Sequence, residues 1–170
     1  MFFLDGDGVL RHKEYLNTLK LKYAVFEKSY PFTSGMDYAS LKKCSIPSGE
    51  RTQLLSLFCK IRLHEIYFNS FSDCEHIKSP LEKVCRYNEN ALYYEIFTKG
   101  RDMESGFISL VMARGNVRVC CGSDYESHFT FGEPCLAIDM FEHAYFSDFA
   151  YMREEYLKKA ISFLNLELLN

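Results

Sequence analysis

Asp139-Met140-Phe141-Glu142-His143-Ala144-Tyr145 is the stretch on which the reading of this chain turns. The apolar run Cys135 to Asp139 just before it has the character of a short buried strand, so Asp139 and His143 stand where a strand gives way to a loop or helix. Four residues apart, a carboxylate and an imidazole can converge there on one cation, the first supplying charge and the second a directional nitrogen donor. Taken alone, the pair reads equally well as a helix cap or a simple ion pair. His64 lies mid-helix on the side of Leu57, Ile61 and Tyr67, where an imidazole needs a hydrogen-bond partner or a metal. By itself it reads as a satisfied core histidine.

The surrounding pattern supplies the architecture. Phe107 to Ala113 and Val117 to Cys121 are β-type runs joined at Arg114-Gly115-Asn116, a hairpin signal. Residues 10–27 carry Leu10, Leu16, Leu19, Tyr23 and Phe26 at helical spacing, and Pro31 ends that helix. A Ser-, Gly- and Pro-rich segment over 33–49 leads into a second apolar helix from about Glu50 to Phe71, which predicts a helical hairpin. Pro80 suits the first turn of a short helix to about Arg86, and Asn88 the cap of another ending at Gly100. Tyr151 to Leu169 reads as a terminal helix with Tyr156, Ile161, Leu164 and Leu168 inward. The predicted class is α+β: an N-terminal helical hairpin (1–72), then a C-terminal α/β subdomain (73–170) holding a small three-stranded antiparallel sheet with flanking helices, in one compact unit.

Bulk composition narrows the function classes. With 170 residues, 48% hydrophobic and 25% charged, the chain is globular, and its net charge of −3 gives none of the basic field that direct nucleic-acid binding needs. No apolar run approaches the ~18 residues that would suggest a membrane span. Met1-Phe2-Phe3-Leu4-Asp5 has no basic segment of the signal-peptide kind, so a cytoplasmic location is expected, or a mitochondrial one if residues precede Met1. Seven cysteines without C-x-x-C spacing read as reduced, packed thiols. There are 15 Phe and 12 Tyr but no Trp.

Together these stretches resemble the iron/manganese superoxide dismutases. The family's C-terminal signature D-x-W-E-H-A-Y is similar to Asp139 to Tyr145, with Arg153-Glu154-Glu155-Tyr156 and Asn165-Leu166 following at matching spacing. Ser105-Gly106-Phe107-Ile108-Ser109-Leu110-Val111 looks like its S-G-W-A-W-L-V strand, and His64-Glu65-Ile66-Tyr67-Phe68-Asn69 like its H-x-x-Y/F-W-N helix. Arg11-His12-Lys13-Glu14-Tyr15-Leu16-Asn17-Thr18-Leu19 is similar to H-H-K-T-Y-V-N-N-L.

The resemblance implies a mononuclear Fe or Mn site with His64, Asp139 and His143 at three ligand positions. Counting back from Tyr15, the fourth falls on Asp7, in place of a histidine. It implies Tyr15 and Tyr125 as catalytic residues, with Lys60 or Tyr125 standing where the family has a glutamine beside the metal-bound solvent. Arg11 and Phe146 replace the gateway histidine and its tyrosine partner, and Phe107, Ser109 and Phe141 replace pocket tryptophans. Glu142 and Tyr145 are implied at the interface of a homodimer, or of a heterodimer with a related dismutase-fold chain. Superoxide is the implied substrate, turned over with reduced or altered activity. His12 is expected to pack or cap near the site, and His76 and His128 to lie at the surface.

Two other readings compete. One is a dismutase-fold assembly subunit without catalysis, in a mitochondrial ribosome or another complex. The other, more remote, rests on Phe2 to Leu10, whose D-x-D-G string resembles that of haloacid-dehalogenase-like phosphohydrolases, with Asp5 as nucleophile and Asp7 as acid/base beside Mg²⁺.

Overall fold

The computed structural model describes residues 4–72 and 89–169. The short helix expected from Pro80 to Arg86, the Asn88 cap and His76 lie outside the described residues. Helix α1 (Gly6–Ser29) starts where the Asp5 side chain accepts the Gly8 N–H at 2.8 Å, a polar cap with Asp7 in the first turn, and it stops at Tyr30 before Pro31. Asp5 and Asp7 therefore belong to the cap and first turn of a helix, while Phe2 and Phe3 of the D-x-D-G stretch lie outside the described residues.

A 3₁₀ turn at Pro31–Thr33 and a short helix α2 (Tyr38–Lys43) occupy the segment whose composition suggested only loop. Asp37 caps α2 through the Ser40 N–H at 2.8 Å. Helix α3 (Ser48–Asn69) follows Pro47 and runs back along α1, forming the expected helical hairpin.

Helix α4 (Glu89–Asp102) precedes an antiparallel sheet in the order β2-β1-β3, with β1 (Phe107–Ala113), β2 (Asn116–Gly122) and β3 (Leu136–Asp139). The β1–β2 turn holds Arg114 at φ 53° and Gly115 at φ 76°, the left-handed pair that a two-residue hairpin requires. The sequence reading missed a 3₁₀ segment at Tyr125–Phe129. Helices α5 (Glu142–Phe149) and α6 (Arg153–Phe163) and a last 3₁₀ turn, Leu166–Leu169, complete the described chain.

The expected single terminal helix is thus two pieces, because the chain leaves α6 at Leu164 and bridges back to Phe71. That break buries Tyr156, Leu157, Ala160 and Leu164 and leaves Leu168 at 43% exposure, correcting its inward assignment. Leu10 is likewise exposed.

The main core lies between the sheet and helices α3, α4 and α6. Ser70 pins its edge: the hydroxyl donates to Ile66 O at 2.7 Å and accepts the Ala137 N–H at 2.8 Å, while the Ser70 carbonyl accepts the Asn165 N–H at 2.8 Å. One buried side chain thereby ties the end of α3 to β3, and its carbonyl ties in the C-terminal segment. This fixes α3 relative to the strand that carries Asp139.

Candidate metal centre

Four side chains from four elements meet where α1, α3, β3 and α5 pack together. His12 lies on the buried face of α1 with Leu16 and Leu19, at the i, i+4, i+7 spacing of a core-facing stripe. His64 is fully buried on α3. Asp139 ends the all-buried strand β3, paired across the ladder with Phe107, and His143 follows in the first turn of α5.

Asp139 is aimed by its neighbours. Its Oδ1 accepts the Phe141 N–H at 2.8 Å, and its carbonyl accepts the Tyr156 hydroxyl at 2.7 Å. Oδ2 is left facing the imidazoles, 3.1 Å from His12 Nε2, 3.1 Å from His143 Nε2 and 3.6 Å from His64 Nε2. One ligand atom from each of the four residues lies within 4.8 Å of the others.

His64 Nδ1 donates to Lys60 O at 2.6 Å, which fixes the tautomer and leaves Nε2 free to act as a donor to a metal. That Nε2, and both ring nitrogens of His12, are buried without a hydrogen-bond partner among the described residues. Orphaned buried nitrogens are costly, and three imidazoles converging on one carboxylate make a set that fits a transition-metal ion.

The electrostatics follow from this packing. Burial pushes His64 down to about 4, against the pull of the Asp139 carboxylate. Burial would raise Asp139, but the adjoining His12 and His143 imidazoles outweigh it and hold the carboxyl far below the usual range. His143 loses some basicity to burial and regains more from Asp139, so its pKa is raised.

Aromatic rings wall the cluster. Phe107 meets His64 edge-on at 5.2 Å between centroids, Phe141 stacks on His143 at 5.6 Å, and Tyr67 and Phe68 lie 4.9 and 5.0 Å from His12. Tyr15 covers the more open side, 5.3 Å from His64 and 5.1 Å from His143, with 39% of its surface exposed. Burial, then the Asp139 charge, raises its phenol pKa. Tyr125 stacks against Phe141 at 5.9 Å and packs on Phe107 at 6.0 Å.

Residues 88–170 match the C-terminal domain of the iron/manganese superoxide dismutases. This C-terminal part of the chain belongs to the iron/manganese superoxide dismutase family. No curated protein matches it. The three-stranded sheet behind a helical N-terminal region has the layout of this dismutase fold.

Of the residues that dismutase resemblance placed at the metal, His64, Asp139 and His143 come together and Asp7 does not. Asp7 is exposed in the first turn of α1, and the fourth side chain of the cluster is that of His12. At about 100° per residue, Asp7 lies roughly 140° around the helix from His12 and roughly 180° from Leu16. The observed buried stripe of α1 thus carries His12 with Leu16 and Leu19, not Asp7.

His128 is a second correction. It is fully buried, with Nδ1 2.7 Å from Ser109 Oγ and Nε2 3.1 Å from Gly122 O. Glu142 is exposed at the start of α5. Tyr145 is buried within its own chain, stacked on Tyr156 at 5.0 Å. Among the described residues no helix is long and apolar enough to cross a membrane.

Proposed function

We propose that this dismutase-family chain binds one Fe or Mn ion through His12, His64, Asp139 and His143 and dismutates superoxide with altered activity. The observation that carries this reading is the convergence of four donor groups, three of whose buried ring nitrogens have no other described partner. A bound Fe or Mn supplies an electron acceptor and donor for successive superoxide molecules. The chain's residues do the rest: Asp139 lowers the charge of the centre, Lys60 O orients His64, and Phe107, Phe141, Tyr67 and Phe68 exclude bulk water. Tyr15, half-buried over the imidazoles with an undissociated phenol, is the group positioned to hold a proton at the open side.

The activity is proposed as altered because, among the described residues, no Asn or Gln side chain makes a hydrogen bond to the cluster. The single glutamine, Gln53, is exposed about three turns before His64 on the same helix, and Lys60 and Tyr125 occupy the neighbouring space. That observation also favours a second reading, an inactive dismutase-fold subunit of a larger assembly. Pairing with a second dismutase-fold chain is proposed in either case, through Glu142, exposed beside the partly exposed His143.

The deciding experiment is elemental analysis of protein made in Fe- and Mn-supplemented medium, with superoxide scavenging assayed on the same sample. About one Fe or Mn per chain, with turnover abolished in His143→Ala, supports the enzyme. Absence of metal, together with no thermal stabilisation on adding Fe or Mn, overturns the metal centre and leaves the assembly subunit.

A further inference from the structure

Two lysines lie over aromatic rings that border the cluster, Lys13 over Phe68 and Lys60 over Tyr125, and of these Lys60 is the half-buried one. Lys20, Lys99 and Lys158 each pair with a carboxylate, at 2.7, 2.7 and 2.9 Å. Lys60 is half-buried and forms no ion pair among the described residues. Its Nζ instead lies over the Tyr125 ring, 4.9 Å from the centroid. Lys60 stands one turn before His64 on α3, and its carbonyl is the acceptor that orients that imidazole. Tyr125 touches Phe107 and Phe141, the two rings that touch His64 and His143.

Between the ammonium and the ligand cluster the described contacts are therefore aromatic rings, which screen charge far less than water does. The only carboxylate in the cluster is Asp139, buried and already shared among three imidazoles. A fixed positive charge there opposes any cation at the centre, and opposes a trivalent one more than a divalent one.

We propose that Lys60, held on the face of Tyr125, is a positioning residue that sets the charge balance of the metal centre, weakening cation binding and favouring the divalent over the trivalent state. This rests on the metal-centre reading above. It gives the lysine a role separate from its backbone contact with His64, because the side-chain charge can be removed while the carbonyl stays.

The test uses the full chain, stripped of metal, as wild type, Lys60→Met, Lys60→Arg and Tyr125→Leu. Affinity for Mn²⁺ is read by competition against a chromogenic chelator, and the midpoint potential by spectroelectrochemistry on Fe-loaded samples. Lys60→Met is expected to bind Mn²⁺ roughly tenfold more tightly and to lower the midpoint potential, while Lys60→Arg stays with the wild type. Tyr125→Leu, which frees the ammonium to solvent, is expected to shift both readouts in the same direction as Lys60→Met.

If Lys60→Met matches the wild type in both, or Lys60→Arg shifts as far as Lys60→Met, the charge role is overturned and the metal centre stands. If neither the wild type nor any variant takes up Mn²⁺ or Fe, the metal centre falls and this proposal with it.

Discussion

His12 Nε2 stands 3.1 Å from Asp139 Oδ2, yet the contact lacks the angle of a hydrogen bond, so both groups point toward a shared space rather than at one another. The carboxylate is held by the Phe141 N–H and the strand beneath it, and the imidazole by the buried stripe of α1. Neither can turn away cheaply. This relationship, more than any motif, distinguishes a ligand set from a packed histidine.

It gives a direct comparison between the two candidate first ligands. His12→Ala is expected to abolish metal-induced thermal stabilisation, whereas Asp7→Ala is expected to leave it unchanged, as read by melting curves with and without added Mn²⁺. A saturating ligand at 100 times its dissociation constant stabilises by about 2.7 kcal/mol, so the difference is well within reach of a melt. The opposite pattern would restore the register in which Asp7 is the ligand.

Ser70→Ala tests the anchor between α3 and β3. The substitution removes the acceptor for the buried Ala137 N–H and should cost about 1–3 kcal/mol. Urea unfolding at neutral pH measures it, and a change of less than a few tenths would mean that the N–H finds another partner.

Gly106→Ala should be far more damaging. Gly106 has φ +125°, and a Cβ there would lie 2.2 Å from Gly122 O, so the hairpin would have to open. The same residue accepts the Met140 N–H at 2.8 Å just after Asp139, which links the start of β1 to the carboxylate of the cluster. Loss of soluble protein, or destabilisation of at least about 3 kcal/mol, is the expected result.

These contacts mark what the sequence could and could not reveal. The strands and long helices were legible because their apolar spacing is regular and their stops are Pro or Gly: Arg114-Gly115 turns the hairpin, and Pro31 follows the end of α1. The 3₁₀ turns at Pro31–Thr33 and Tyr125–Phe129 and the short α2 were not, since each is a few residues long and held by local caps such as Asp37 and Asp124. Within the site, His64, Asp139 and His143 were legible from collinear motifs. His12 is expected from the sequence only to pack or cap near the site, because the motif register points to Asp7 and the apolar spacing that includes Leu10 does not mark the face on which His12 is buried. His128 was misplaced because its polar sequence neighbours, Glu126 and Ser127, say nothing of the Ser109 hydroxyl that reaches it from β1.

Burial of His128 predicts an acid sensitivity. Its pKa is depressed, chiefly by burial, so the unfolded chain binds a proton more readily than the folded one. Its contribution to stability is complete above about pH 6.5 and is lost as the pH falls below that value. His128→Gln, which keeps a polar side chain without the titration, is expected to flatten part of the fall in melting temperature between about pH 6.5 and 5, leaving the share due to His64. An unchanged slope would show that the His128 ring is charged or solvated in the folded protein.

Asp148 should behave in the opposite sense. Its carboxylate accepts the Asp5 N–H at 3.1 Å, over the first turn of α1, where Gly8 is so close that a Cβ would sit 3.1 Å from Oδ2. Burial, then the neighbouring Asp5 carboxyl, raises its pKa, so ionisation is harder folded than unfolded. The resulting penalty is absent below the usual carboxylate range near pH 3.8, grows as the pH rises through the folded value, and is constant above it. Asp148→Asn keeps an oxygen for the Asp5 N–H and discards the charge. The variant should therefore melt higher than the wild type at pH 7, with the gap closing toward pH 4, as followed by melting curves across that range. A lower melting temperature at neutral pH would instead mean that the charge stabilises the positive end of α1 by more than its repulsion from Asp5 and Asp7 costs.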